Sequence, residues 1–178
     1  MNTPLEQWAQ VAVQRLRTAG LRLCTAESCT GGLIAAALTE VPGASAVFRY
    51  GWVTYCNEAK ERELGVPPEL IATHSVVSEP VVAAMAQGAL RRSGADLAVA
   101  VSGNAPPAAP EGEPPVGTLC LALARRGAAR PLHTETLFRP ELSRAELRRL
   151  AACRCLELVA GASRADGAEK TAGVGKSD

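Results

Sequence analysis

Cys24-Thr25-Ala26-Glu27-Ser28-Cys29-Thr30-Gly31-Gly32 is the stretch around which the rest of the 178-residue chain is organised. Leu21-Arg22-Leu23 before it begins a short strand, and Leu33-Ile34-Ala35-Ala36-Ala37-Leu38 after it is an unbroken run of helix formers. Ser28 therefore falls in a strand-to-helix turn, with two glycines where the helix starts. Backbone N–H groups at a helix start lack partners within the helix and suit an anion or oxyanion. Glycine lets a ligand approach the backbone closely. A serine in such a turn is a candidate nucleophile with an oxyanion site beside it. On this stretch alone a helix-capping serine is the commoner explanation, because capping serines far outnumber catalytic ones.

The length suits one domain with a substantial core. Hydrophobic residues make up 47% and charged residues 21%, an ordinary globular balance. Aromatics are only 3%, so the core has to rest on Ala, Val and Leu. A net charge of +1 gives no electrostatic case for nucleic acid or for a membrane surface. No apolar run is long enough to span a bilayer, and no basic segment precedes an apolar one at the N-terminus. The expectation is a cytoplasmic protein. The six cysteines, Cys24, Cys29, Cys56, Cys120, Cys153 and Cys155, lie mostly in apolar strand-like or helical contexts and read as reduced, mostly buried thiols. With His74 and His133 the only histidines, no zinc-ligand spacing arises and no metal is called for.

Thr3 and Glu6 have capping-box spacing, Pro4 sits at the first helical position and Gly20 ends the helix, with Trp8 as a packing residue. The helix after Ser28 stops at Val41-Pro42-Gly43. Residues 47–55 read as a strand with Phe48, Tyr50 and Trp52 on one face. Asn57 is the expected N-cap of the next helix. Lys60 then lies in its first turn, where a cation opposes the macrodipole and desolvation would lower its pKa; a solvated surface lysine is the ordinary alternative. A short helical turn over 69–72, extended backbone at 74–77 and a helix from Glu79 to Ser93 capped by Ser78 follow. Residues 97–101 form a buried strand. Between Ala105 and Pro115 lie five prolines, a stiff loop. Strands at 116–123 and 132–138 flank a basic turn at Gly127. Ser143 and Glu146 form a second capping box, opening a last helix that Gly161 ends near Ala160.

These elements predict one α/β domain over 1–160, a three-layer α/β/α sandwich with a mixed central sheet, and a disordered tail over 161–178. The tail's Ala172-Gly173-Val174-Gly175-Lys176-Ser177 imitates a phosphate-binding loop, but Lys170 stands where that pattern needs glycine.

Several stretches resemble one family in the same order. They are residues 25–32, Val53-Thr54-Tyr55 with Asn57-Glu58-Ala59-Lys60, Leu64-Gly65-Val66, Val77-Ser78-Glu79 and Pro115-Val116-Gly117. The resemblance is to the C-terminal domain of the competence/damage-inducible protein CinA, a domain that also occurs alone as a nicotinamide-nucleotide amidohydrolase. It covers roughly residues 5 to 160. It implies hydrolysis of the carboxamide of nicotinamide mononucleotide to nicotinate mononucleotide and ammonia, with no cofactor. Matched motif by motif, the family's serine, tyrosine and lysine are Ser28, Tyr55 and Lys60. Substrate contacts fall to Cys29, Thr30, Gly31, Gly32, Gly103 and Asn104, and the phosphate-side arginine to Arg144 or Arg139. The implied partner is a small pyridine nucleotide, and the family often forms homo-oligomers.

The chain departs from the family after Ser102-Gly103. Members usually continue Ile-Ala-Gly-Pro and further glycines, whereas Asn104-Ala105-Pro106-Pro107-Ala108-Ala109-Pro110 stands here. Cys56 replaces the usual serine, and the Gly-Asp-Arg context of the arginine is absent. Three readings stay open: an active deamidase with an altered loop, an amidase with a changed substrate, or a nucleotide-binding domain without catalysis.

Overall fold

Large and small side chains alternate along the central strands, and that alternation sets the architecture. The computed structural model describes residues 3–171, with the backbone alone described beyond Ser163. Strands β1 (Leu23–Glu27), β2 (Phe48–Val53), β3 (Leu97–Gly103), β4 (Thr118–Arg125) and β5 (His133–Phe138) form one sheet in the order β2-β1-β3-β4-β5. β1 runs parallel to β2 and β3, while β4 is antiparallel to β3 and β5, so the sheet is mixed.

Leu97, Val99 and Val101 of β3 and Leu119, Leu121 and Leu123 of β4 point to one side with Leu23. There they meet α1 (Pro4–Ala19), α2 (Leu33–Thr39) and α6 (Arg144–Thr171). Ala98, Ala100, Cys120, Ala122, Ala124, Cys24 and Ala26 point to the other side, against α5 (Glu79–Ser93) with α3 (Asn57–Leu64) and α4 (Pro68–His74) at its flank. A period-2 pattern buried on both faces requires helices on both faces. The result is the three-layer α/β/α sandwich with an Ala/Val/Leu core that the composition implied. Among the described residues no helix is long and apolar enough to cross a membrane.

Both capping boxes form: Thr3 with Glu6 at α1, and Ser143 with Glu146 at α6. Trp8 is partly buried against the core. Four of the six cysteines are buried, Cys153 is partly buried and Cys56 is exposed; none forms a disulfide.

The structure corrects several local expectations. The register of β2 against β1 slips between Leu23 and Cys24, so Phe48 packs with the large-residue side while Trp52 packs with the small-residue side. An extra residue in one strand reverses the facing of every residue after it. Tyr50 stacks on Trp52 with ring centroids 5.8 Å apart. Cys56, not Asn57, holds the N-cap position of α3. Ser78 stands at the N-cap of α5, yet its hydroxyl donates to the Ser75 carbonyl instead of accepting from the helix. His74 closes α4 and Ser75 turns with φ of 73°, so residues 74–77 are a bend and not extended backbone.

Gly161 does not end α6, which continues to Thr171. An interior glycine costs a helix only about 1 kcal/mol. The Arg15 guanidinium donates to the Ala160 carbonyl and the Ser163 hydroxyl to the Val159 carbonyl, holding the helix across that point. The loop look-alike at 172–177, and the rest of the expected tail, lie outside the described residues.

One close approach positions the site. A Cβ at Gly88 of α5 would stand 1.9 Å from the carbonyl oxygen of Leu64, the last residue of α3. No side chain fits there, and α3 carries Lys60. Gly88→Ala is expected to destabilise the protein by about 1–3 kcal/mol through overpacking. It should also weaken whatever depends on Lys60. Denaturant unfolding checks the first effect, and a variant as stable as the parent would show that α3 is not held this way.

Candidate active site

The three parallel strands all end at one place. Ser28 follows β1, Thr54 and Tyr55 follow β2, and Gly103 ends β3. Ligand crevices in open α/β sheets form at the carboxyl ends of parallel strands. Ser28 is pinned there by ladder bonds that run past the strand ends. Its N–H donates to the Val101 carbonyl, and the Thr54 N–H donates to the Glu27 carbonyl.

Gly31 and Gly32 both take positive φ, 61° and 92°, and Gly32 is the N-cap of α2. Ser28 is therefore not the helix cap, which removes the ordinary explanation of a serine at this position. The helix start is also not free for a ligand. Glu27, with no solvent exposure, accepts from the N–H groups of Ile34 and Ala35 at 3.0 and 2.9 Å. A carboxylate at a helix N-terminus completes unpaired donors and opposes the dipole favourably. N–H groups open to a ligand then lie before the helix. The Gly31 N–H is taken by the Ser28 carbonyl, and no backbone carbonyl among the described residues takes up the N–H of Cys29.

Lys60 is the largest fully buried side chain, 1% exposed. Its Nζ donates to Ser28 Oγ at 3.1 Å and to the Thr54 carbonyl at 2.8 Å. Burial pushes its pKa below the usual 10.5, opposed by Cys56, Cys29, Glu113 and Glu58. The direction agrees with the expectation from its place in α3. Burial acts the opposite way on the neighbouring Cys29 thiol and raises it to about 12. At neutral pH that thiol stays protonated, and of the two adjacent side chains Ser28 is the one that accepts a hydrogen bond from Lys60.

A cavity of about 400 Å³ opens over this pair. Of the predicted site residues, Ser28, Cys29, Tyr55, Lys60, Gly103, Asn104 and Arg144 line it. Thr30, Gly31 and Gly32 do not: the Thr30 carbonyl accepts from Arg148 on α6, Gly31 packs beside the same guanidinium, and Gly32 packs on Val53. Gly31 and Gly32 take the left-handed backbone of this turn. Arg139 stays outside, its guanidinium on the Phe138 carbonyl. Arg144 is inside: it donates to Tyr55 Oη at 2.8 Å and to the Pro106 carbonyl at 3.0 Å. Tyr55 is 61% exposed, and no described hydrogen bond joins it to Ser28 or Lys60.

Sequence reasoning missed Glu27, Arg148, Ser102, Asn57 and the acidic pair Glu111 and Glu113 on the proline-rich loop, the last four of which line the cavity. Glu27 had a signal, an acid just before a helix. Arg148 is four residues beyond Arg144 on one helix face. The loop acids had none beyond their charge. Among the described residues no group of three or more His, Cys, Asp or Glu is arranged to hold a metal.

A buried serine and a buried lysine thus meet at the strand ends of an α/β/α domain. The chain belongs to the CinA C-terminal domain family, whose model matches residues 5–162. A CinA-like protein of Akkermansia muciniphila is 51% identical over 147 residues, covering 83% of this chain and 35% of that protein. One from Anaeromyxobacter dehalogenans is 47% identical over 155 residues, covering 86% and 37%. The chain thus spans about a third of the length of these curated relatives. Among solved structures, the competence/damage inducible protein CihA from Agrobacterium tumefaciens superposes with a TM-score of 0.84 at 42% identity, covering 90% of this chain and 96% of that one. A CinA superfamily protein from Klebsiella pneumoniae gives 0.85 at 34%, covering 92% and 99%.

The buried amine makes stability depend on pH. Folding holds the Lys60 pKa below its unfolded value, so the unfolded chain binds more protons between the two values and stability rises with pH there. Relative to Lys60→Met, the parent should gain stability as pH climbs toward 10.5 and lose it as pH falls through the folded pKa. Parallel unfolding titrations measure the difference; a flat difference would mean that burial does not perturb the amine.

Proposed function

We propose that the domain hydrolyses the carboxamide of a pyridine nucleotide, nicotinamide mononucleotide, to the carboxylate and ammonia through a serine-bound acyl intermediate. The observation that carries this reading is the 3.1 Å contact between Ser28 Oγ and the buried Lys60 Nζ.

Desolvation favours neutral Lys60, which then accepts the Ser28 hydroxyl proton as Oγ attacks the carboxamide carbon. The C–O bond forms, the carbonyl oxygen becomes an oxyanion, and the N–H of Cys29 donates to it. Lys60 passes its proton to the departing nitrogen as the C–N bond breaks, releasing ammonia. A water then gives a proton to Lys60 and attacks the ester, and Lys60 returns the proton to Ser28 as the acid leaves. Microscopic reversibility lets one amine serve both halves. The proton path runs directly between Lys60 and Ser28, which leaves Tyr55 to work with Arg144 at the cavity mouth.

Arg144 suits the nucleotide phosphate. Its guanidinium has five N–H donors, and the contacts to Tyr55, Ala105 and Pro106 leave some of them for an anion. Within the altered loop the Asn104 side-chain amide donates to the Pro114 carbonyl at 2.7 Å, tying the two ends of the loop together beside the cavity.

Ammonia release from nicotinamide mononucleotide by the purified protein tests the reading. Ser28→Ala and Lys60→Arg should each lower turnover by about 10²–10⁴-fold, since alanine has no hydroxyl and arginine stays protonated and cannot act as a base. Parent turnover should rise with pH through a titration below 10.5. A folded parent without turnover, or variants as fast as the parent, would overturn it.

A further inference from the structure

The proline-rich loop brings carboxyl groups, and no basic side chain, to the cavity. Five of residues 105–115 are prolines and supply no N–H. The carbonyls of Ala105 and Pro106 are turned to Arg144, and that of Pro114 to Asn104. The loop's two acids, Glu111 and Glu113, both line the cavity. This is a poor surface for an anion and a suitable one for a cation.

Glu113 is the fixed member. Its Oε1 accepts from the Val76 N–H at 3.3 Å. Its Oε2 is shut off from solvent and has no hydrogen-bond partner among the described residues. A carboxylate drawn out of solvent is poorly screened, so its charge acts on whatever occupies the cavity that Glu113 lines. Arg144 already engages Tyr55 and the loop, and Lys60 engages Ser28 and Thr54.

We propose that Glu113 is a specificity residue, its carboxylate meeting a positively charged heteroaromatic ring while Arg144 takes the anionic end of the same ligand. The inference rests on the pyridine-nucleotide reading and sharpens it: the site selects the cationic, oxidised ring over a neutral ring bearing the same carboxamide, ribose and phosphate. A cation held between the two carboxyl-bearing loop positions and Ser28 has a second effect. In the empty site burial disfavours the ammonium form of Lys60, and the negative charge of Glu113 acts against that. A bound positive ring offsets that influence, and the amine loses its proton more easily when substrate is present.

The test is equilibrium binding by calorimetry to Ser28→Ala protein, which does not turn ligand over. The probes are nicotinamide mononucleotide and its 1,4-dihydro form, which differ in ring charge. The oxidised form should bind at least about tenfold tighter, as an ion pair at reduced dielectric provides. Adding Glu113→Gln should bring the two ligands to within about twofold of each other. Glutamine keeps the Val76 contact through its own carbonyl oxygen, and the melting temperature reports whether the fold survives. The parental preference needs no Glu113 variant to be read. Equal binding of the two forms, a preference that survives Glu113→Gln, or binding of neither overturns the inference. A preference that collapses as stated, in a protein whose Ser28 parent releases no ammonia, leaves the inference standing and overturns the hydrolysis reading instead.

Discussion

The amine of Lys60 is held out of water against Ser28 Oγ, and the surrounding structure is arranged to tolerate that. Burying an ionisable amine without a carboxylate in hydrogen-bond contact disfavours its charged form, and the fold answers with a hydroxyl and a backbone carbonyl as partners. The carbonyl belongs to Thr54, just past the end of β2, so the strand that leads to Tyr55 also seats the lysine. The hydroxyl sits just past β1 and is locked by the carbonyl of Val101 on β3. Three strands and one helix thus converge on a single pair of atoms. Seating a buried amine there costs stability, as functional sites commonly do.

The same sheet separates scaffolding from chemistry. Its large-residue face carries α1, α2 and α6 and holds most of the leucine core. Its small-residue face lets α5 lie close, and Gly88 brings the end of α3 against α5. Glu27 links the layers, with its carboxylate on the start of α2 and its carbonyl receiving the Thr54 N–H. That buried acid takes the place an external anion would otherwise fill. The turn after β1 therefore presents the Ser28 hydroxyl and the Cys29 N–H, not a helix terminus.

Much of this was legible in the sequence, for identifiable reasons. Helices α1, α5 and α6 carry strong caps and periodic apolar faces, and β3 is a bare apolar run, so their existence and type followed from local signals. Ser28 and Lys60 stood out because one sits in a strand-to-helix turn and the other opposes a helix dipole. Burial of the lysine depends on contacts 32 residues apart, which local pattern does not report. The slip in β2 is invisible for the same kind of reason: it is a property of the pairing with β1, not of β2 alone. The course of α6 past Gly161 reflects contacts with α1 that outweigh one glycine. Gly31 and Gly32 read as ligand contacts because glycine marks both close approach and left-handed backbone, and here the second use applies.

The central claim is that Ser28 is made nucleophilic by an uncharged Lys60. The most direct measurement is the rate at which a fluorophosphonate phosphonylates Ser28, followed by peptide mass spectrometry across a pH series. The account predicts a label on Ser28 whose rate rises along one titration below 10.5 and is lost in Lys60→Met. A rate indifferent to Lys60, or a label that goes to Cys29 instead, would contradict it.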